Sequence, residues 1–125
     1  MQINKIKLTK DASERLKQLK ARTGLTPNIL SRIGFCLSLN EPAIPNPELY
    51  PEEDREFNRY TLLGEWDDLY IALLKQRLDA DGLSAKDSAD YFRAHMNRGI
   101  VSLAGLVRAI ADIPAIATRT VQGVA

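Results

Sequence analysis

The side chains best suited to chemistry in this sequence are cations, and they are concentrated near the N-terminus. Residues 1–40 contain eight lysines and arginines against two acids, a formal charge of +6. The other 85 residues contain nine basic and fourteen acidic side chains, a charge of −5, so the net charge of +1 hides this asymmetry. A segment rich in cations attracts a polyanion such as nucleic acid, although a solvated helix face has the same composition.

The spacing of these cations predicts two basic faces on neighbouring elements. Two lysines alternate with apolar residues over residues 3–9, and three more recur at three- and four-residue spacing over residues 10–20, on one helix face with Ser13. Lysine ammonium groups suit contact with phosphates rather than the reading of bases. The candidate DNA-binding residues are Lys5, Lys7, Lys10, Arg15, Lys17, Lys20 and Arg22.

Motifs that bind cofactors or perform catalysis are absent from the sequence. It contains no G-x-G-x-x-G, Walker, C-x-x-C or H-E-x-x-H pattern. One cysteine and one histidine are too few for a zinc site built from protein ligands, and the acidic runs lack the spacing of a calcium loop. The sequence therefore predicts a protein that is not an enzyme, with no catalytic residues, no cofactor and no metal.

Three single residues could have a chemical role but are interpreted as structural. Cys36 lies on an apolar helix stripe, so we expect a buried thiol; a reactive thiol near Arg32 is the alternative. His95 is expected to have a structural or surface role, and Trp66 is expected to lie in the core.

The first 23 residues predict a strand and a helix that together carry the cations. Residues 3–9 alternate in the manner of a short strand, with Ile6 and Leu8 on its apolar face. A helix begins at Thr9 or Asp11 and ends before Gly24. Its expected inward face is Ala12, Leu16, Leu19 and Thr23.

A second helix is predicted over residues 27–39, after the N-cap Thr26. It is apolar on most sides, so either the C-terminal half or another subunit must cover it. Gly34 in its middle would suit close packing of another helix. Its main apolar face is expected to be Ile29, Leu30, Ile33, Cys36 and Leu37.

The rest of the chain predicts a connector and about three further helices. Residues 41–56 contain four prolines and several acids, which predicts an extended acidic connector, and residues 57–63 fit a strand or a helical turn equally well. A break is expected at residues 97–99, before a last apolar helix that ends at Pro114. The expected inward residues are Trp66, Leu69, Tyr70, Leu73, Leu74 and Leu78 in the first of these helices and Ala85, Ala89, Phe92 and Met96 in the second.

These elements predict a mainly α fold, in which a short N-terminal β-strand precedes a helical bundle. Residues 1–117 are interpreted as a single helical DNA-binding domain with a basic strand–helix–helix part (3–40), the connector (41–56) and a helical half (57–117), followed by a tail (118–125). The sequence contains no membrane-spanning run and no secretory signal, and one cysteine cannot form an internal disulfide. We therefore expect a cytoplasmic protein without a membrane partner.

Residues 5–39 resemble a ribbon–helix–helix unit. The resemblance rests on the short basic strand, Leu16-x-x-Leu19, the Thr23-Gly24 break and Leu30-x-Arg32. In that family two chains pair their strands, and the polar face of the ribbon reads a DNA groove. The resemblance implies that Lys5, Lys7 and Thr9 face DNA while Ile6 and Leu8 face the dimer core.

A second resemblance extends over residues 3–117. The same start continues into Arg32-Ile33-Gly34-Phe35-Cys36-Leu37-Ser38-Leu39, Tyr60-Thr61-Leu62-Leu63-Gly64-Glu65 and Tyr91-Phe92-Arg93-Ala94-His95-Met96-Asn97-Arg98-Gly99. Together these segments resemble the DndE family, small proteins of the bacterial DNA phosphorothioation system. The resemblance implies a helical, non-enzymatic homotetramer that prefers nicked duplex DNA and uses surface lysines, here Lys5, Lys7, Lys10, Lys17 and Lys20.

Two other classes of function remain open at this point. A ribbon–helix–helix transcriptional regulator would prefer one DNA sequence strongly over random DNA. A scaffold would bind another protein of the modification system through the acidic connector or the second helix, without a direct role for DNA. A role of Cys36 as a sulfur relay is a further hypothesis.

Overall fold

The computed structural model describes residues 3–116 and is mainly helical. Its elements are β1 (Lys5–Lys7), α1 (Lys10–Thr23), α2 (Pro27–Asn40), β2 (Glu56–Asn58), α3 (Arg59–Leu63), α4 (Asp67–Ala80) and α5 (Ser88–Leu106). The prediction of a mainly α fold with a short N-terminal strand is confirmed, and the predicted tail, 118–125, lies outside the described residues. Between residues 3 and 116, no helix combines the length and the apolar character needed to cross a bilayer.

The structure decides the open assignment of residues 57–63 and contradicts the break predicted at residues 97–99. Residues 57–63 are neither all strand nor all helix: β2 ends at Asn58, whose side chain caps α3 by accepting hydrogen bonds from the next two free N–H groups. The break predicted at residues 97–99 is wrong, because α5 continues through it to Leu106. The side chain of Asn97 is satisfied by tertiary hydrogen bonds, and Gly99 permits a close helix contact.

The N-terminal strand finds its partner within the same chain. β1 pairs antiparallel with β2, so that Ile6 lies opposite Phe57 and Lys7 opposite Glu56. The other edge of β1 is covered by the buried Asn97, which accepts a hydrogen bond from Thr9 N–H at 2.8 Å and donates to the Lys7 carbonyl at 3.4 Å. The expectation that Ile6 and Leu8 face a dimer core is therefore wrong, because both residues fill this chain's own core; the pairing of strands between two chains stays a prediction.

The centre of the core is the crossing of α2 and α5. A Cβ placed on Gly99 would lie 1.8 Å from the Gly34 carbonyl oxygen, and one placed on Gly34 would lie 2.8 Å from the Gly99 carbonyl carbon. The two helices can approach this closely only because both residues lack side chains. Beside the crossing, the rings of Phe35 and Phe92 lie 5.0 Å apart. The expectation that Gly34 permits close packing is confirmed.

The inward face of α1 is confirmed, but that of α2 is largely wrong. Ser13 is buried with the apolar face of α1, since its hydroxyl accepts a hydrogen bond from Arg55 N–H at 3.4 Å. On α2 only one residue of the predicted face, Leu30, is buried; small side chains and Phe35 take the other inward positions because α5 approaches so closely. The buried residues of α2 are Leu30, Ser31, Gly34, Phe35 and Ser38.

Several residues predicted to be buried therefore lie at the surface. Cys36 is exposed, because its side of α2 faces away from α5. Trp66 is 53 % exposed and Leu69 is 51 % exposed, since the inward side of α4 carries Ile71 with Leu74 and Leu78, of which the last two are confirmed as predicted. Ala89 is also exposed, on the outer side of α5.

Candidate nucleic-acid interface

The lysines of α1 stand on a helix that is well fixed at both ends. The Thr9 hydroxyl accepts a hydrogen bond from Ala12 N–H at 3.0 Å, which satisfies a free donor at the N-terminus. At the other end, Gly24 adopts a left-handed conformation with φ of 76° and donates to the Lys20 carbonyl. The rigid helix fixes the spacing of the side chains between these caps.

Three of the predicted lysines form one row, here called the lysine flank: Lys10, Lys17 and Lys20. At 100° per residue they fall within about 80° of one another around the helix and span about 15 Å along its axis. All three are exposed, and within residues 3–116 no carboxylate oxygen lies within 4 Å of their ammonium nitrogens. Their charges are therefore free to bind an external anion.

The two predicted arginines lie elsewhere on the same helix. Arg15 and Arg22 are about 120–160° around the helix from the lysine flank, so one phosphate strand cannot contact both sets along this helix. Arg15 is also engaged, since its Nε donates to the Asp11 carboxylate at 3.0 Å. The seven predicted DNA contacts thus divide into separate surfaces.

The remaining two predicted contacts belong to the sheet. Lys5 and Lys7 lie on the face of β1 opposite to the buried Ile6. Glu56 is the direct cross-strand neighbour of Lys7, and its carboxylate lies 3.7 Å from the Lys5 ammonium nitrogen. The sheet therefore carries a carboxylate beside its lysines, and this carboxylate pairs with Lys5, in contrast to the lysine flank.

One cation beside the lysine flank is missed by sequence reasoning. Arg55 donates its backbone N–H to the hydroxyl of Ser13, which lies between Lys10 and Lys17 on α1. Its guanidinium lies 4.9 Å from the centre of the Phe57 ring, and the residue is exposed. Four acids at positions 52, 53, 54 and 56 surround it in sequence and hide its charge in any count over the connector.

A second exposed surface is apolar and lies on α2 and α4. Ile29 and Cys36 are exposed on the side of α2 that faces away from α5, and the half-buried Ile33 between them packs against the core. Tyr70 of α4 makes a hydrogen bond with the Cys36 thiol, and the preceding residue of α4, Leu69, is 51 % exposed. An open groove of about 270 Å³ continues this apolar face between the C-terminal parts of the two helices; it is lined by Leu39, Leu73, Gln76, Arg77 and Ala80.

The surroundings of the Cys36 thiol disfavour its reactive thiolate form. Desolvation raises its pKa, and this effect outweighs the hydrogen bond with Tyr70, which lowers it. A thiolate is the nucleophilic form, so a raised pKa favours the inert thiol at neutral pH.

The single histidine belongs to a buried hydrogen-bond network between α2 and α5. His95 Nδ1 lies 2.8 Å from the hydroxyl of Ser38, which itself accepts a hydrogen bond from Arg98 Nε at 2.8 Å. The tautomer of His95 sets the direction of its hydrogen bond with Ser38, and its Nε2 is buried without a hydrogen-bond partner among the described residues. Burial, reinforced by the charges of Arg98 and Arg77, lowers the pKa of His95 to about 4.

Two arginines hold the start of the connector against the helices. Arg77 Nη1 donates to the carbonyls of Leu39 and Glu41 at 2.7 and 2.6 Å, and Arg98 Nη1 donates to the Ala43 carbonyl at 2.6 Å. They satisfy carbonyls at the end of α2, where no glycine cap is present. In the part of the chain that the structure describes, no group of three or more His, Cys, Asp and Glu side chains could hold a metal ion.

Comparison with known proteins identifies one family. Residues 5–109 match the family model described as DNA sulphur modification protein DndE. The fold is similar to the crystal structure of DndE from Escherichia coli B7A involved in DNA phosphorothioation modification, with a TM-score of 0.65 and 30 % identity over 82 % of this chain and 99 % of that one. A structure of the DndE G21/24K mutant involved in DNA phosphorothioation gives the same TM-score and coverage at 27 % identity. No curated protein sequence matches.

Proposed function

Since this chain belongs to the DndE family of DNA sulphur modification proteins, and is thereby involved in DNA phosphorothioation, we propose that it is a non-catalytic accessory that binds the backbone of duplex DNA, preferably at a nick. It acts in the bacterial cytoplasm as a homotetramer, beside the other proteins of the modification system. It needs no cofactor and has no membrane partner.

The lysine flank is the observation that carries the proposal. Lys10, Lys17 and Lys20 are exposed and without a carboxylate partner within the described range. Their span of about 15 Å corresponds to roughly four phosphates of one strand at 3.4 Å rise per phosphate. Ammonium groups on long, mobile stems follow a backbone without reading its bases. This agrees with a system that modifies the phosphate backbone itself.

A preference for nicked DNA has a simple physical origin. Bending an intact site of 20–30 base pairs costs on the order of 1–6 kcal/mol. A nick removes the continuity of one strand and lowers this cost, so a curved array of lysines can contact more phosphates at a nick. A relief of about 1.4 kcal/mol would correspond to tenfold tighter binding.

The homotetramer is supported by the apolar surface on α2 and α4. Ile29 and Cys36 of α2 and Leu69 of α4 are exposed, and exposed apolar residues on neighbouring helices are typical of protein contacts. Burying this surface against other copies would bring several lysine flanks into one particle. Linked weak contacts then add through avidity.

The same surface supports a second candidate function, in which the chain is a scaffold that binds another protein. In that case the apolar face binds another protein of the modification system, and the lysine flank contributes nothing. A sequence-specific regulator is less well supported, because β1 already pairs with β2 of its own chain and Asn97 bonds the Lys7 carbonyl on the other edge.

The DNA-binding proposal is tested with three fluorescent substrates of equal length: nicked duplex, intact duplex and single strand. We expect the nicked duplex to bind about tenfold more tightly than the intact one, and both to bind independently of sequence. Equal affinity for nicked and intact duplex would contradict the preference. No binding to any of the three at low salt would favour the scaffold.

The tetramer is tested with the single cysteine as a natural reporter. Cys36 is exposed in one chain, so assembly through this face should slow its alkylation by a maleimide. Leu69→Asp should lower the mass from four chains to one, each of 14.0 kDa, and speed the alkylation, whereas Ala89→Asp at another exposed site should change neither. A wild-type protein of one-chain mass with rapid alkylation would contradict the proposal.

A further inference from the structure

The acidic connector meets the basic surface at β2, and its residues approach both groups of lysines. Its backbone is fixed there: Asp54 N–H donates to the Leu8 carbonyl at 2.9 Å, and Leu8 N–H donates to the Arg55 carbonyl at 2.8 Å. Arg55 and Glu56 therefore have defined positions beside the start of α1 and on β2. Arg55 is next to the lysine flank, whereas Glu56 is next to the lysines of β1.

Arg55 lies beside the lysine flank. Its backbone is bonded to Ser13, and its guanidinium stacks over Phe57, which is itself nearly fully buried. Within the described residues, no carboxylate oxygen lies within 4 Å of its guanidinium nitrogens. A guanidinium that stacks on a ring but forms no ion pair is well suited to bind a phosphate, because little side-chain entropy is lost when it binds.

Glu56 lies opposite one lysine of β1 and forms an ion pair with the other. It faces Lys7 across the sheet, and its carboxylate is 3.7 Å from Lys5. This position is the one a DNA phosphate would take if both lysines were to contact the backbone. An exposed pair of this kind is weak, so a phosphate can compete with the carboxylate but must displace it.

We propose that Arg55 and Glu56 form a second wall of the DNA surface, in which Arg55 adds a phosphate contact and Glu56 competes with phosphate for Lys5 and Lys7. This inference rests on the proposed DNA binding and deepens it. The connector then adjusts the affinity for DNA through two residues of opposite charge, since Arg55 raises it and Glu56 lowers it. The sheet lysines contribute less than the lysine flank as long as Glu56 is charged.

The proposal is tested with two charge-neutralising variants and two matched controls on α4. Arg55→Gln should weaken binding of the full-length protein to a nicked duplex by about three- to tenfold and lower the salt slope by about one unit, since one phosphate contact is lost. Glu56→Gln should tighten binding about threefold and steepen the slope. Lys75→Gln and Asp79→Asn make the same changes of net charge at exposed positions on another element, and each should change the affinity less than twofold.

Each outcome decides the matter. If either variant behaves like its control on α4, the second wall is wrong. Arg55→Lys keeps the charge and should retain most of the affinity, which separates loss of a phosphate contact from damage to the fold. If neutralising Lys10, Lys17 and Lys20 leaves DNA binding intact, the proposed function itself fails; if that change abolishes binding while Arg55→Gln and Glu56→Gln match their controls, only this inference fails.

Discussion

The outer flank of α1 and the inner side of α5 carry the same charge but use it in opposite ways. On α1 the ammonium groups of the lysine flank are exposed and have no partner within the described residues. On α5 the Arg98 guanidinium is only 12 % exposed and donates to Ser38 and Ala43 of its own chain. A cation whose donors are satisfied internally stabilises the fold, and only one with free donors can bind a ligand. Charge counts along a sequence do not separate the two.

The comparison predicts that changes on α5 affect folding, whereas changes on α1 affect binding. The largest expected effect is at the helix crossing. Gly99→Ala would place a Cβ 1.8 Å from the Gly34 carbonyl oxygen, so the helices must separate. We expect a loss of about 3 kcal/mol or more in the free energy of unfolding, at the upper end of typical overpacking effects, measured by urea denaturation.

Gly105 supplies the matched control for the crossing. It lies on the same helix, and a Cβ there meets nothing within 4 Å. Gly105→Ala should leave stability unchanged or raise it by up to about 1 kcal/mol, because alanine favours the helix. Equal effects of the two substitutions would show that the close contact does not determine stability.

The next largest effect is expected for Arg98→Ala. The change removes the charged donor of the Ser38 carbonyl and hydroxyl and one of the two charged donors of the Ala43 carbonyl, which Arg77 also contacts. We expect a loss of about 2–3 kcal/mol, since buried groups would lose hydrogen bonds to a charged partner. Urea denaturation measures this loss. In a separate binding experiment without urea, the folded variant should bind DNA like the wild type. A variant with normal stability and weak DNA binding would place Arg98 with the ligand-binding cations instead.

The lowered pKa of His95 predicts that the free energy of unfolding depends on pH between about 6.5 and 4. Its folded-state pKa is lowered from 6.5 to about 4, so the unfolded chain takes up a proton in this range and the folded protein does not. Stability is therefore full above pH 6.5 and falls as the pH drops toward 4. Between pH 7.5 and 5 we expect a loss of about 2 kcal/mol, measured by urea denaturation at each pH. His95→Gln should flatten this part of the profile; an unchanged slope in the variant would assign the effect to other groups.

The smallest effect on stability is expected on the lysine flank. Lys17→Ala removes an exposed side chain without a partner among the described residues, so stability should change by less than about 0.5 kcal/mol. The same change should weaken DNA binding about threefold and lower the salt slope by about 0.9. Thermal denaturation and a salt titration on one protein preparation measure both. A loss of stability like that of Arg98→Ala would remove the distinction between the two regions.

Sequence patterns could predict the elements that carry the lysines but not all the surfaces around them. Thr26, Gly24 and the period of Leu16 and Leu19 indicated α1 and α2 correctly, because caps and periodicity are local properties. The inward face of α2 was not predictable in the same way. A helix side that is apolar and exposed has the same periodicity as one that is buried, and here the side that packs on α5 is built from small residues around Gly34.

Two further misses have a similar cause. Asn97 and Gly99 have the composition of a helix break, yet in the folded chain they serve contacts with β1 and α2 that no local pattern reveals. The position of Arg55 beside Ser13 depends on pairing between β1 and β2, which lie about fifty residues apart in sequence. Long-range pairing therefore decides which cations share a surface.

The central claim is that the lysine flank neutralises DNA phosphates. Its most direct test is the salt dependence of binding to a nicked duplex, compared between the wild type and the variant with Lys10, Lys17 and Lys20 replaced by alanine. We predict that the slope of log affinity against log salt falls by about 2.7 for each subunit that contacts the DNA, with no change in unfolding. If the plots of log affinity against log salt coincide for the two proteins, the claim is contradicted.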